Sequence, residues 1–213
     1  MKNNLIGIDL GGTKIEIVIL DTNKEIQFRE RVPTESEKGP SHIINQILIL
    51  YKKAILFIDN APHTIGVGSP GSLSLKTKLL RNSNTLCLNG LPLQQLIEKA
   101  LQKKIILEND ANCFALAEAN MGAGQNHDLV FGVIMGTGCG GGFVINNNLR
   151  VGPQQIAGEW GHSVINSDGP SSYCGNNGCV ETYISGGGLE LSLIHISEPT
   201  RRYAISYAVF CLK

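Results

Sequence analysis

The sequence has no long hydrophobic run that could cross a membrane. Its longest apolar stretch, residues 47–58, is interrupted by Lys52 and Lys53 and is too short to span a bilayer. The N-terminus reaches the acidic residue Asp9 after a short apolar run, a pattern that argues against a signal peptide. We therefore expect a cytoplasmic protein without a membrane partner.

The sequence also lacks an excess of charge of either sign. Basic and acidic residues number 18 each, the formal net charge is zero, and the basic residues are scattered along the chain. A nucleic-acid-binding surface needs a concentrated basic patch. The sequence therefore predicts a small-molecule partner and no nucleic-acid partner.

Internal repeats and low-complexity segments are absent as well, and the chain is long enough for one large domain or for two modest lobes with cores of their own. Hydrophobic periodicity predicts strands over residues 5–10, 15–20, 25–32, 64–68, 104–107, 128–135 and 142–146. It predicts helices over residues 40–60, 92–101 and 110–121. A meander followed by alternating helices and strands predicts an α/β fold with helices packed on a sheet.

A first glycine loop lies between the first two predicted strands and comprises Asp9, Leu10, Gly11, Gly12, Thr13 and Lys14. A strand follows it where a Walker loop would lead into a helix. Paired glycines let the backbone approach an anion closely, and a carboxylate beside them suits a hydrated Mg²⁺. The alternative is an ordinary hairpin turn.

A second glycine loop, residues 136–142, has five glycines in seven positions. Glycine weakens strands and loses the most entropy when it becomes ordered, so this density needs a reason. Close backbone contact with phosphate is the reason we favour, and a flexible linker is the alternative. The residues predicted to contact the nucleotide here are Gly136, Thr137, Gly138 and Gly140.

Two further motifs are more specific: Gly-Glu-Trp-Gly-His at residues 158–162 and Cys-Gly-Asn-Asn-Gly-Cys-Val-Glu at residues 174–181. With these motifs the chain resembles the ROK sugar kinases (repressor, open reading frame, kinase) from about residue 5 to residue 190. The resemblance implies an actin-like ATPase fold, ribonuclease H-like, in which two lobes clamp a nucleotide. It implies an N-terminal lobe at residues 1–110 and an incomplete C-terminal lobe at residues 111–190.

The same resemblance implies the ligands and the roles of individual residues. ATP and Mg²⁺ would be bound by the two glycine loops, a sugar would be the acceptor, and the full-length protein would form a homodimer. Asp110 would be the general base that takes a proton from the sugar hydroxyl; the alternative is a helix N-cap. The sugar hydroxyls would be bound by Gly71, Asn89, Asn109, Glu159, His162 and Glu181.

The resemblance also implies a structural zinc ligated by His162 and three cysteines. Two of those cysteines are Cys174 and Cys179, but Ser172 stands at the position of the third. A closed structural site takes four ligands, so either water or a neighbouring group completes a zinc site, or two reduced thiols hold no metal.

Within the family, the amino-acid sequences of several motifs are most similar to those of bacterial fructokinases, so a fructokinase is favoured. The alternatives are an N-acetylglucosamine, N-acetylmannosamine or glucose kinase, which would use the same hydroxyl-binding residues. A sugar-responsive ROK repressor is a further alternative. It would carry a helix-turn-helix domain ahead of the first glycine loop, which here begins at Asp9.

The end of the chain does not continue the family pattern. Residues 191–201 resemble the translation of a transposon-based sequencing adapter, and residues 205–213 resemble that of a flow-cell primer. We therefore expect a C-terminally truncated kinase with a non-native tail at residues 191–213. We expect this 213-residue chain to be inactive, because the adenosine-binding segment would be missing. The alternative is a divergent natural strand or helix.

Overall fold

The computed structural model describes residues 4–136, 138–193 and 206–212. Thr137 and residues 194–205 of the expected tail lie outside this part of the chain. The chain divides into two compact units, Met1–Asp110 and Ala111–Lys213. The assignment of residues 1–110 and 111–190 as enzyme lobes stays a prediction.

The first unit contains all the strands predicted for it and two short ones besides. Its strands are β1 (Asn4–Leu10), β2 (Lys14–Leu20), β3 (Ile26–Pro33), β4 (His63–Ser69), β5 (Ser72–Leu73), β6 (Leu80–Arg81) and β7 (Ile106–Asn109). Its helices are α1 (Pro40–Phe57) and α2 (Leu93–Leu101), with 3-10 turns at Ser36–Lys38 and Leu86–Leu88. Strands β5 and β6 were not predicted because two-residue strands are too short to show a period.

The five-stranded sheet of this unit has the order β3-β2-β1-β4-β7. Strands β1, β2 and β3 form an antiparallel meander, while β4 is parallel to β1 and β7 is parallel to β4. In register, Asp9 pairs with Gly68, and Gly68 pairs with Glu108. The carboxyl ends of three parallel strands therefore meet at one edge of the sheet, where loops gather functional residues.

The core of the first unit lies between this sheet and α1. Alternate residues of β2 (Ile15, Ile17 and Ile19) are fully buried, as expected for a strand with one face on the core. Helix α1 buries Ile43, Ile47, Leu50, Tyr51 and Ala54, which recur at the three- and four-residue spacing of one helix face.

The second unit is built on an antiparallel sheet of order β10-β9-β8-β11. Its strands are β8 (Leu129–Met135), β9 (Cys139–Ile145), β10 (Asn148–Arg150) and β11 (Ser206–Leu212). Its helical segments are α3 (Asp110–Met121), which begins at the boundary between the units, a 3-10 turn (Trp160–His162), α4 (Glu181–Ile184) and α5 (Gly186–Leu193). Strand β11 falls within residues 191–213, whose assignment as a non-native tail stays a prediction.

The second glycine run differs from the predicted loop. We expected a strand from residue 142, but β9 begins at Cys139 and pairs Cys139 with Met135 and Gly142 with Gly132. A Cβ atom on Gly142 would lie 2.9 Å from the Cβ atom of Ala115 in α3, closer than side chains normally approach. Glycine is therefore needed in this strand because α3 packs directly on it.

Among the described residues, no helix is both long enough and apolar enough to cross a membrane.

Candidate functional site

The sheet edge of the first unit holds three of the predicted site carboxylates and amides. Asp9 is the penultimate residue of β1, Asn109 is the last residue of β7, and Asp110 is the first residue of α3. Because β1, β4 and β7 are parallel, these residues come to the same edge. An acidic residue in a first helical turn is stabilised as the anion by the helix dipole, so Asp110 is suited to accept a proton.

Asp9 has a neighbouring like charge. Partial desolvation, then repulsion from Glu16 on the adjacent strand, raises the pKa of the Asp9 carboxyl, while Lys14 opposes this shift. A bound cation would offset the repulsion between the Asp9 and Glu16 carboxylates, so this position is suited to a cation. The donor set, a single oxygen ligand beside a solvent-accessible loop, fits a Mg²⁺ that keeps most of its water.

The first glycine loop is closed by backbone hydrogen bonds. The Gly11 N–H donates to the Lys14 carbonyl at 2.9 Å, and the buried Thr34 hydroxyl donates to the Gly11 carbonyl at 2.7 Å. A Cβ atom on Gly11 would lie 2.9 Å from the Lys14 carbonyl oxygen. Gly12 and Thr13 are exposed at the tip. Thr34 therefore anchors the loop, a role that no sequence pattern had indicated.

Gly71 and Asn109, both predicted to contact the sugar, contact each other. The Asn109 side-chain amide donates to the Gly71 carbonyl at 3.0 Å. Gly71 has φ +82°, and a Cβ atom there would lie 2.4 Å from the Arg81 carbonyl oxygen, so only glycine fits. The hydrogen bond ties the loop after β4 to the end of β7.

Asn89 has a contact that the sequence did not indicate. Its amide accepts from the Ser83 N–H and donates to the Ser83 carbonyl, both at 2.9 Å. An amide engaged in this two-point bond holds backbone and has less capacity left for a sugar hydroxyl. Asn84, which the sequence did not indicate as a site residue, is exposed. A Cβ atom on Gly12 would lie 3.7 Å from its side-chain oxygen, so Asn84 lies beside Gly12.

In the second unit, the predicted sugar ligand Glu181 contacts the second glycine loop. Its carboxylate accepts a hydrogen bond from the Cys139 N–H at 2.8 Å, and a Cβ atom on Gly138 would lie 2.6 Å from it. Gly136 donates to the Gly138 carbonyl at 2.8 Å and accepts from the Gly186 N–H at 2.7 Å. The loop is thus held from two helices, α4 and α5.

The Gly-Glu-Trp-Gly-His motif packs on the strand that follows the loop. The Trp160 indole N–H donates to the Gly140 carbonyl at 2.7 Å. A Cβ atom on Gly161 would lie 2.3 Å from the Cys139 carbonyl oxygen. This contact positions Glu159. The pKa of the Glu159 carboxyl is raised above its ordinary value, mainly by burial; His162 opposes the shift and the negative charge of Glu181 adds to it. Two carboxylates and an imidazole therefore lie in one neighbourhood, and each of them can hydrogen-bond with hydroxyl groups.

The predicted metal ligands also come together. The ligand atoms of His162, Cys174 and Cys179 lie within 4.8 Å of one another, and the two sulfur atoms are 3.6 Å apart. Sulfur ligands about 2.3 Å from a tetrahedral zinc lie about 3.8 Å from each other, whereas a disulfide is about 2.05 Å long. The distance between the two sulfur atoms is therefore close to that between two zinc ligands. The ligand atoms as a whole lie up to 4.8 Å apart and must move closer together when a metal binds.

One atom of this group has no hydrogen-bond partner. His162 Nδ1 is buried and unpaired within the described chain, although a buried polar atom normally finds a partner. Ser172 takes the place of the missing cysteine, and its hydroxyl accepts from the Cys174 N–H at 3.5 Å. A separate side-chain hydrogen bond from Ser172 to the Cys174 sulfur is the largest cause that lowers the pKa of the Cys174 thiol to about 7. The orphaned nitrogen and the soft donor set fit Zn²⁺.

Comparison with known proteins gives a consistent picture. The ROK family model matches residues 5–207. The chain is 34% identical over 204 residues to an N-acetyl-D-glucosamine kinase of Yersinia pestis bv. Antiqua, covering 91% of this chain and 79% of that one. It is 37% identical over 188 residues to a glucokinase of Thermotoga maritima, covering 86% and 58%. A crystal structure of a ROK glucokinase from Streptomyces griseus, in complex with glucose and AMPPNP, superposes with a TM-score of 0.72 at 32% identity, covering 88% of this chain and 59% of that one.

The fold is therefore the actin-like ATPase, ribonuclease H-like fold of these ROK structures, with the second lobe partial. The chain belongs to the ROK family. It spans between about three fifths and four fifths of the length of these relatives.

Proposed function

We propose that the full-length protein transfers the γ-phosphoryl group of Mg-ATP to a hydroxyl of a hexose. The observation that carries this proposal is the sheet edge of the first unit, where parallel strands bring Asp9, Asn109 and Asp110 together. Membership of a family whose relatives are named as sugar kinases supports it. Phosphoryl transfer needs mainly positioning and charge stabilisation, which loops at a rigid sheet edge can supply.

In this proposal each group has one task. Asp110 accepts the proton of the sugar hydroxyl as the oxygen attacks the γ-phosphorus. Asp9 holds the hydrated Mg²⁺. The two glycine loops contact the phosphate oxygens; the residues concerned are Gly11, Gly12, Thr13, Lys14, Gly136, Thr137, Gly138 and Gly140. The N–H groups of Gly11 and Gly136 already donate to the Lys14 and Gly138 carbonyls, so these two residues would shape the loops.

The acceptor that we propose is N-acetylglucosamine or glucose. The amino-acid sequences of the motifs favour fructose as the acceptor, but the relatives described above are named as N-acetylglucosamine kinase and glucokinase. Sugar hydroxyls are proposed to meet Gly71, Asn109, Glu159, His162 and Glu181. Asn89 stays a predicted ligand, although its amide is engaged with Ser83, and Asn84 is added as a candidate beside Gly12.

A sugar panel tests the acceptor. The full-length protein would be assayed for ADP release with N-acetylglucosamine, glucose, N-acetylmannosamine, fructose and no sugar. We expect the highest kcat/KM with N-acetylglucosamine or glucose. Turnover with fructose alone would restore the first preference, and sugar-independent ATP hydrolysis alone would remove the kinase proposal.

A conservative substitution tests the base. Asp110→Asn keeps the size of the side chain and removes its basicity, so kcat should fall by about 10²–10⁴-fold while the KM for sugar changes little. Asp168→Asn, which alters an exposed carboxylate of the second unit, serves as the matched control. Equal rates for Asp110→Asn and the unmodified enzyme would show that Asp110 is not the base.

The proposed zinc ligands are His162, Cys174 and Cys179, with water or the Ser172 hydroxyl as the fourth. A zinc ion there would cross-link the 3-10 turn that carries His162 to the loop that carries the cysteines, which is a structural contribution. The homodimer stays a prediction.

A further inference from the structure

A single buried residue holds two carbonyl groups of the first glycine loop. Thr34 follows β3 directly and is fully buried. Its hydroxyl donates to the Gly11 carbonyl at 2.7 Å, and its backbone N–H donates to the Thr13 carbonyl at 3.0 Å. Thr34 therefore fixes the peptide unit that enters the tip of the loop, Gly11–Gly12, and the one that leaves it after Thr13.

The direction of the Gly12 N–H follows from this contact. The peptide bond between Gly11 and Gly12 is trans, and in a planar trans peptide the N–H points away from the preceding carbonyl. The Gly11 carbonyl is directed at the buried Thr34 hydroxyl, so the Gly12 N–H is directed away from the core. Gly12 is exposed, and no residue of the described chain accepts a hydrogen bond from its N–H. An anion-binding loop offers its ligand an N–H group of this kind.

Thr34 is itself held from the sheet and from α1. On one side, Pro33 pairs with Lys14 at the end of the ladder between β2 and β3. On the other side, Glu35 has a left-handed backbone conformation at φ +50°, and its carboxylate lies 2.8 Å from His42 Nε2 of α1. These contacts are formed within the chain, so Thr34 is a fixed point against which the loop is oriented.

We propose that Thr34 is a positioning residue for the nucleotide: its hydroxyl holds the Gly11 carbonyl inward and thereby aims the Gly12 N–H at a phosphate oxygen of Mg-ATP. Because glycine permits many backbone conformations, the peptide unit between two glycines could turn either way without such an anchor. A carbonyl turned outward would present its oxygen to the anion, whereas an N–H held in place binds it without reorganisation. The inference rests on the proposed function, which places phosphate at this loop.

Nucleotide affinity measured without turnover tests the inference. The Mg²⁺ complex of a non-hydrolysable ATP analogue would be titrated by calorimetry into the full-length unmodified protein and its variants. Thr34→Val keeps the shape of the side chain and the backbone N–H but removes the hydroxyl. We expect its Kd to rise by about 10–100-fold, the range for one hydrogen bond to a charged group. Thr34→Ser keeps the hydroxyl and should bind the analogue like the unmodified protein.

Ile47→Val is the matched control for stability. Ile47 is fully buried in α1 and is not part of the glycine loop. Removing one of its carbon atoms destabilises the first unit, so the midpoint of thermal unfolding should fall while the Kd for the analogue stays unchanged. A loss of affinity that merely followed stability would appear in Ile47→Val as well as in Thr34→Val.

A second measurement does not require a variant to fold. In unmodified protein labelled with nitrogen-15 glycine, the amide proton signal of Gly12 should move downfield when the analogue binds, as expected for a new hydrogen bond to phosphate. The inference is overturned if this signal does not move, if the unmodified protein does not bind the analogue, if Thr34→Val binds it equally tightly, or if Ile47→Val loses as much affinity. The kinase proposal fails separately, through absent sugar-dependent ADP release or an unaffected Asp110→Asn, and neither result alters the Kd.

Discussion

Asn84 and Asn89 lie five residues apart in one loop, yet their side chains have different surroundings. The Asn89 amide bridges the N–H and the carbonyl of Ser83, whose side chain is buried. Asn84 is exposed beside Gly12. Sequence reasoning could not separate them, because residue type and loop position are the same for both.

We therefore predict opposite effects of alanine at these two positions. Asn89→Ala should lower the free energy of unfolding by about 1–3 kcal/mol, because buried backbone groups of Ser83 lose their partner. Asn84→Ala should leave stability within about 0.5 kcal/mol and raise the KM for the sugar. Urea unfolding and steady-state kinetics of both variants provide the check, and a stable Asn89→Ala with a raised KM would return Asn89 to the sugar site.

At the scale of elements, glycines allow backbone to pack on backbone. Gly158 precedes the 3-10 turn that carries His162, and a Cβ atom there would lie 1.9 Å from the Gly141 carbonyl oxygen in β9. The motif at residues 158–162 is therefore held against the same strand that the second glycine loop enters. This contact brings Glu159 and His162 near Glu181, as their mutual effects on the Glu159 pKa indicate.

Gly158→Ala should therefore be more harmful than a typical glycine substitution. The added methyl group meets backbone, which cannot rotate away, so we expect a loss of about 1–3 kcal/mol in unfolding free energy together with weaker sugar binding. Gly66→Ala is the control, because Gly66 lies in β4 and a Cβ atom there would meet no atom within 4 Å. Equal stabilities of the two variants would contradict the packing argument.

At the scale of the whole molecule, the clusters of buried apolar side chains among the described residues differ in size between the two units. The first unit buries large aliphatic side chains on both its sheet and α1. Among the described residues of the second unit, the buried cluster is formed by Ala115, Ala119, Val130 and Val144, with Leu116 and Leu149 packed against them. Val133, Cys139 and Cys179 are buried outside this cluster. Burial of apolar area is the main favourable term in folding, so the second unit should be the less stable one.

We predict two unfolding transitions in urea for this 213-residue chain. Trp160, the single tryptophan of the sequence, lies in the second unit, so its fluorescence should change at a lower urea concentration than the far-UV circular dichroism. Leu50→Ala, which removes a fully buried side chain of α1, should lower the stability of the first unit by about 2–5 kcal/mol and leave the fluorescence transition in place. Coincident transitions in the unmodified chain would show one cooperative unit.

Hydrophobic period and turn residues determined most of the elements from the sequence, because burial on one face imposes a period of 2 on strands and 3.6 on helices. The resemblance in residues 158–162 and 174–181 likewise determined the family. Only the tertiary structure decided that Cys139 to Gly142 form a strand, that Asn89 holds Ser83, and that Thr34 anchors the first glycine loop. Each of these depends on a contact between residues distant in sequence or on the direction of a side chain, and neither quantity is recorded in local pattern or composition.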